Sequence, residues 1–460
     1  MRIDGKKGLQ VVVGVVLVGA LVWSALFIRH RVTRSRVEEI LARLEEQRGQ
    51  ADPAVEKELH DLGDRSVGVL AERLRQGRFG DGALRTAFLA VGAPAAEALA
   101  EALDDAKPAV RLFAAETLGH VEGGRDLIVH ALTGALADRA AEVRIAAAKA
   151  LGGLRVDARD AKTALLTCLG DSAAPVRAAA AAAIRSVASA EPDVIEALVK
   201  ALADRDGQVR RAAVDTVAAL GTPDEAIGAL AELLGDDQEP PDVRWACVYA
   251  FRDTAPRGRQ AIAPLREAVD GPDSHLAAEA IRVLGKYEVG RKATTAVLVR
   301  ALANADGDVR AAAAASLANF GQEGRDATAA LLTCLRDKTW AVRKAAATAL
   351  GKVAAPQSQV PAALVKTLGD KDNQVRQAAV LALMDLGMPD GTITPIVRIL
   401  DSDSEAPHIR WACAHALSRI GKRGRPAITA LRKALNHDDP RLSKQAAEAI
   451  ANIQAGTAAP

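Results

Sequence analysis

Aromatic side chains are scarce in this chain: Phe, Trp and Tyr make up 3% of its 460 residues. A core built without them relies on aliphatic and small side chains, which suits closely packed helices better than a thick sandwich. Cysteine is almost absent as well. Cys168, Cys247, Cys334 and Cys413 stand far apart with no C-x-x-C spacing, which excludes a disulfide framework and a zinc pattern. Charge of one sign is also lacking. The net charge of +2 gives no global field to recruit nucleic acid, and no nucleic-acid partner is expected. No Gly-rich phosphate loop, nucleophile elbow or paired carboxylates stand out, so the expectation is no catalytic, cofactor-binding or metal-ligating residues and no cofactor.

Long apolar runs are missing except at the start. After a tail at residues 1–8, Leu9 to Ile28 is a 20-residue stretch without charge, long enough to cross a bilayer as a helix. It carries thirteen Val, Leu, Ile or Phe residues, each favouring insertion by roughly 0.3–0.6 kcal/mol. A cleaved signal would have a shorter apolar core and a small-residue cleavage site. Residues 9–28 are therefore expected to be a transmembrane anchor, making the chain a single-pass membrane protein. Arg residues on both sides leave its orientation open, with a slight lean to a cytoplasmic body. Residues 29–64 read as a basic flank and a linker helix whose apolar face is Val37, Ile40, Leu41 and Leu44.

From residue 65 to 460 the sequence repeats itself. An apolar marker recurs at Val110, Val143, Val176, Val209, Val243, Leu276, Val309, Val342, Val375, Ile409 and Leu442, in steps of 33 residues with two of 34. Each unit reads as an apolar helix, a turn containing Asp, and a second helix. About twelve such pairs predict an all-α solenoid. Four residues after every marker stands Ala or Cys, Cys247 and Cys413 among them. A position that admits nothing larger is one where helices approach closely, because a bigger side chain would overpack the seam. Marker and small residue share one face at i and i+4, and that face is the core. The four cysteines then read as small buried hydrophobes.

Two positions further on, the residues are Glu116, Lys149, Ala182, Asp215, Tyr249, Arg282, Ala315, Thr348, Leu381, His415 and Glu448. Mixed chemistry marks solvent, and in a helix-pair solenoid this stripe of the second helices lines the concave binding wall. An Arg follows nine of the eleven markers, and six residues before it an Asp recurs, as in Asp138 with Arg144. The paired columns predict a ladder of charge-assisted hydrogen bonds between neighbouring repeats rather than a phosphate site. A larger unit is also visible: residues 124–269 align without a gap onto 290–435. A block of five repeats has been duplicated as a piece.

These units resemble HEAT repeats of the bacterial type grouped with phycobilin lyases. The resemblance rests on stretches such as Asp138 to Gly152 and Asp337 to Gly351, and it implies a curved rod of stacked helix pairs. HEAT-repeat hydroxylases bind iron through His-Glu pairs, and this chain has no His-Glu dipeptide. The bilin lyases leave an alternative open: a ligand-binding or chromophore-attachment role.

The sharpest local feature is the duplicated Arg244-Trp245 and Arg410-Trp411, with Tyr249 and His415 four residues after each Trp. Each Trp is expected to pack into the groove toward the next repeat. On the alternative reading, the pairs form exposed aromatic platforms beside Arg244 and Arg410, suited to dominate binding energy. The loops Arg257-Gly258-Arg259 and Arg423-Gly424-Arg425 either present a basic edge to a partner or interact with exposed carbonyls at helix ends. The candidate partner-binding residues are thus Arg244, Trp245, Tyr249, Arg257, Arg259, Arg410, Trp411, His415, Arg423 and Arg425. The expectation is a membrane-anchored, non-enzymatic scaffold that binds protein partners through its second helices.

Overall fold

The computed structural model describes Trp23 and residues 29–47, 53–77, 82–254, 258–355 and 359–456. Twenty-five α-helices lie between Pro53 and Ala455, after a helix over 29–46, with no strand among the described residues. The chain divides into two compact units, residues 1–220 and 221–460. The single-pass membrane placement expected from residues 9–28 is corrected. No helix among the described residues is long and apolar enough to cross a membrane, and that stretch lies outside them apart from Trp23.

In the first unit, helix pairs such as Arg125–Ala135 with Ala141–Leu154 stack so that each second helix packs on the next, here Ala174–Val187. The linker helix belongs to this stack. Val37, Ile40, Leu41 and Leu44 are fully buried, and Arg73 of Asp64–Arg75 pairs with both Glu38 and Glu45. Helix Pro53–Leu62 packs on Ala83–Val91 and its Glu58 binds Arg36 and Arg43. The helix over 29–46 and helix Pro53–Leu62 thus form a further helix pair packed on the first unit.

The second unit holds seven pairs, from Asp224–Gly235 with Pro241–Ala250 to Ile428–Ala434 with Pro440–Ala455. Its second helices start where they do for local reasons. Asp206 in the first unit and Asp273, Asp306 and Asp372 in the second cap a helix by accepting from backbone N–H groups two or three residues on. At Pro241 and Pro407 the fixed φ of proline begins the helix instead, and at Pro440 the two devices combine, Asp439 accepting from the Arg441 N–H.

Core and seam follow the repeat columns. All eleven markers are buried, and so is every Ala or Cys four residues later. Glycine permits the tightest crossings. A Cβ on Gly351 would lie 2.7 Å from the Cα of Ala382 in the next second helix, and one on Gly152 3.0 Å from the Cα of Ala183. Both are backbone atoms that cannot move aside.

The Arg and Asp columns form the expected ladder. Arg111 donates through Nε and Nη2 to Asp138 at 2.6 and 2.9 Å, and through Nη1 to the carbonyl of Asp105 in its own turn. The same fork joins Arg144 to Asp171, Arg177 to Asp204, Arg310 to Asp337 and Arg343 to Asp370. Each Asp also accepts from the backbone N–H two residues on, as Asp337 does from Thr339. One carboxylate therefore shapes its own turn and grips the preceding repeat. The bound guanidinium holds the carboxyls of Asp138, Asp171, Asp204 and Asp337 below the usual carboxylate range. Where the step is 34 residues the rung changes. Arg376 reaches Glu405, while Arg244 and Arg410 donate to the carbonyls of Leu234 and Leu400 at the preceding helix end.

A candidate interaction wall on the second helices

The duplicated Trp sites sit on second helices Pro241–Ala250 and Pro407–Ser418 of the second unit. Trp245 and Tyr249 stack with centroids 5.9 Å apart and planes 16° off parallel. They are 40% and 49% exposed, so Trp245 does not pack into the groove expected for it. The i, i+4 spacing lays each ring on its own helix's neighbour, and this stack takes the place of burial against the next repeat. Arg252 lies over the far ring, its guanidinium carbon 5.1 Å from the Tyr249 centroid. Arg252 also faces Glu279 at 3.6 Å, which in turn binds Arg282 at 2.9 Å.

The second copy is more enclosed. Trp411 and His415 stack at 5.2 Å and 7°, both partly buried. Trp411 and His408 line a groove of about 540 Å³ against helix Pro440–Ala455, with Arg441, Lys444 and Glu448 on its far side. Trp411 is thus the copy that turns toward the next repeat.

The Arg residues beside these rings are engaged elsewhere. The guanidinium of Arg410 is buried and tied to Leu400, and Arg244 binds Leu234 and Asp237. Arg423 donates to the carbonyls of Gly387 and Met388, just past the end of helix Asn373–Asp385, and pairs with Asp390. It fastens the turn that follows that helix. Arg259 and Arg425 are exposed, and Arg257 lies outside the described residues. The glycine between the paired arginines has a packing reason. A Cβ on Gly258 would stand 2.5 Å from the Tyr287 hydroxyl, and one on Gly424 2.6 Å from Cδ1 of Ile453.

Trp340 was not singled out from the sequence, yet it belongs to the same wall. It opens helix Trp340–Val353, is 45% exposed, and has the Lys344 ammonium 5.8 Å from its ring centroid. The signal was available. Other second helices carry Pro, Ala, Gly, Ser or Asn at that place in the repeat, as in Pro108, Ala174, Gly207 and Asn373. The wall of the second unit therefore carries aromatic groups on three of its second helices. The second helices of the first unit have a groove of about 610 Å³ between Arg85, Glu116 and Lys149 but no exposed aromatic ring among their described residues. A further groove of about 670 Å³ lies on the first-helix side of the second unit, between Leu332, Arg336 and Lys366, also without aromatic rings.

All four cysteines are buried, and burial pushes the thiols of Cys168, Cys334 and Cys413 up. Cys168 and Cys334 sit at equivalent places in the two duplicated blocks, facing the carbonyls of Leu136 and Leu302 at 3.8 and 3.9 Å.

Comparison with known proteins places this architecture. No curated protein shows significant similarity to the chain. Among solved structures, Kap95p, described as inducing the switch loops of RanGDP to adopt the GTP-bound conformation, is 14% identical with a TM-score of 0.52. The alignment covers 92% of this chain and 61% of that one. The karyopherin Kap121p bound to the SUMO protease Ulp1p is 13% identical at a TM-score of 0.55, covering 92% and 53%. Kap121p bound to Nup53p is 12% identical at 0.54, with the same coverage. The chain spans about half to three-fifths of the length of these proteins, and at such identities the likeness is one of fold. The family model for HEAT repeats matches in seven overlapping segments from residue 96 to residue 451, and this chain belongs to the HEAT-repeat proteins.

Proposed function

We propose that the chain is a protein-interaction scaffold whose second-helix wall binds protein partners. The observation that carries this reading is the Trp245–Tyr249 pair. Two large rings stacked in register on one helix stand 40% and 49% exposed, in a chain with few aromatics to spend. Trp, Tyr and Arg are the residue types that most often dominate interface energy. Arg252 over the Tyr249 ring adds a cation already oriented. The fold relatives are consistent with this role, since they are described bound to RanGDP, Ulp1p and Nup53p. On this proposal Trp245, Tyr249, Trp411 and His415 contact the partner and Arg259 and Arg425 lie at its rim. Arg244, Arg410 and Arg423 hold the wall's own helices.

The test is site-specific photocrosslinking of the full chain in its own cells. A benzophenone amino acid replaces Tyr249 or His415 on the wall, or Lys366 on the first-helix side. Mass spectrometry should identify a protein crosslinked from the wall positions and absent from Lys366, and Trp245→Ala should diminish it. Equal capture from both sides, or none from the wall, refutes the reading.

A further inference from the structure

The groove beside Trp340 differs from the rest of the wall in floor and charge. It is about 470 Å³ and runs between helices Gly307–Phe320 and Trp340–Val353. Its floor includes Ala311, Ala315 and Ala345; the position of Ala315 carries a larger residue in every other repeat except at Ala182, as at Glu116 and Lys149. Alanines on two facing helices, with Thr348 and Asn319 the other uncharged polar residues in the lining, leave room for a bulky side chain to descend between them. Trp340 forms one end of the groove and offers a ring face for such a side chain.

The rim is cationic. Lys344, Lys352 and Arg282 line the groove against one acidic residue, Asp308, which sits in the first turn of its helix where the macrodipole favours it. Lys344 hydrogen-bonds only a neutral amide oxygen, that of Gln374 at 2.6 Å, so its charge is not cancelled there. Arg282 shares Glu279 with Arg252. An alanine floor with an aromatic end and a positive rim complements a negatively charged segment carrying an apolar anchor.

We propose that this groove docks an acidic protein segment that inserts one bulky apolar side chain against Trp340. The inference rests on the scaffold reading and names the chemistry of the partner. The acidic groups would face Lys344 and Lys352, and the anchor would lie over Ala311, Ala315 and Ala345.

Two labelled model peptides test it by fluorescence anisotropy with the full chain. One is an amphipathic helix of Leu and Glu, and the other is the same peptide with Lys at every Glu. The acidic peptide should bind and the basic one should not. Trp340→Ala, and separately Lys344→Glu with Lys352→Glu, should each weaken the acidic peptide at least about tenfold. The charge-reversed chain should gain the Lys peptide, which a general loss of fold could not produce. These side chains are on the surface, and an unchanged melting curve for each variant verifies that the fold persists. Equal binding of both peptides overturns the proposal, as does no binding of either. Binding of the acidic peptide that ignores the groove variants but falls with Trp245→Ala also overturns it, while leaving the scaffold reading in place.

Discussion

Removing the Asp337 carboxylate isolates one rung of the ladder. Asp337 accepts the Arg310 fork at 2.7 and 2.9 Å and the backbone N–H of Thr339 at 2.8 Å. Asp337→Ala leaves the Arg310 guanidinium, only 8% exposed, without its counter-charge. Breaking a fully buried pair from one side costs about 3–5 kcal/mol. Here Arg310 keeps its Nη1 bonds to the carbonyls of Asn304 and Ala305, at 2.8 and 2.9 Å, and water reaches the rim of the pair. A loss of about 2–3 kcal/mol is expected, partly from the Thr339 turn. In a stack of repeats, such a loss acts on one nearest-neighbour interface. Amide exchange in helices Gly307–Phe320 and Trp340–Val353 should accelerate roughly 30- to 150-fold. Exchange in helix Pro440–Ala455 should be unchanged.

Hydrogen exchange with mass spectrometry resolves these segments. Arg310→Met in the Asp337→Ala background should recover part of the loss, because it removes the stranded charge and keeps an apolar stem. Uniform acceleration along the chain, or none, would refute the reading of the rung as a local tie. Failure of the second substitution to recover anything would refute the claim that a stranded charge is the cost.

Three further outcomes follow from the same contacts. Gly351→Ala should destabilise by about 1–2 kcal/mol, since the new Cβ meets the Ala382 backbone at 2.7 Å. Gly68→Ala, with nothing within 4 Å, should stabilise by about 0.5–1 kcal/mol, and urea titration compares the two. The ladder also sets an acid limit. Asp138, Asp171, Asp204 and Asp337 have depressed folded pKa values, so their contribution is complete above the unfolded Asp value of about 3.9. It is lost as pH falls through the folded values, so melting temperature should drop steeply below about pH 4 and hold level near neutrality. Finally, Gly258→Ala should be destabilising, with its Cβ 2.5 Å from the Tyr287 hydroxyl. Tyr287→Phe, which deletes that hydroxyl and its 2.7 Å bond to Thr254, should cost about 1 kcal/mol alone but relieve part of the Gly258→Ala defect. Purely additive melting shifts would refute the contact.

The fold was legible because the chain carries its own comparison. Eleven copies of one unit expose which positions admit only Ala or Cys and which tolerate anything, and those columns are the seam and the surface. The Asp and Arg columns were legible for the same reason. What periodicity does not carry is the direction of a side chain at an exposed or half-exposed position. Trp245 and Trp411 occupy equivalent places, yet Trp245 stands in solvent with Tyr249 while Trp411 lines the groove toward Pro440–Ala455. The partner at i+4 and the next helix decide this, and they differ between copies. Arg244 and Arg410 were expected beside the platforms. The longer step carries each to a helix-end carbonyl instead, which is a three-dimensional consequence of one inserted residue.

That contrast separates what the repeats hold together from what they present. A residue type that recurs in its column answers to the neighbouring repeat, as Gly351, matched by Gly119, Gly152 and Gly285, answers to Ala382 and Asp337 answers to Arg310. A residue that departs from its column without a packing partner to require it answers to something else. Trp340 is such a departure: a bulky ring where the other copies carry small residues or proline, left 45% exposed beside a floor reduced to alanine. Burying an aromatic ring of that size is worth more than about 2 kcal/mol, and the folded chain forgoes much of it at Trp340 and again at Trp245. Those stacking faces remain available to a partner, and the cations near them, Lys344 and Arg252, set which partner gains most by covering them.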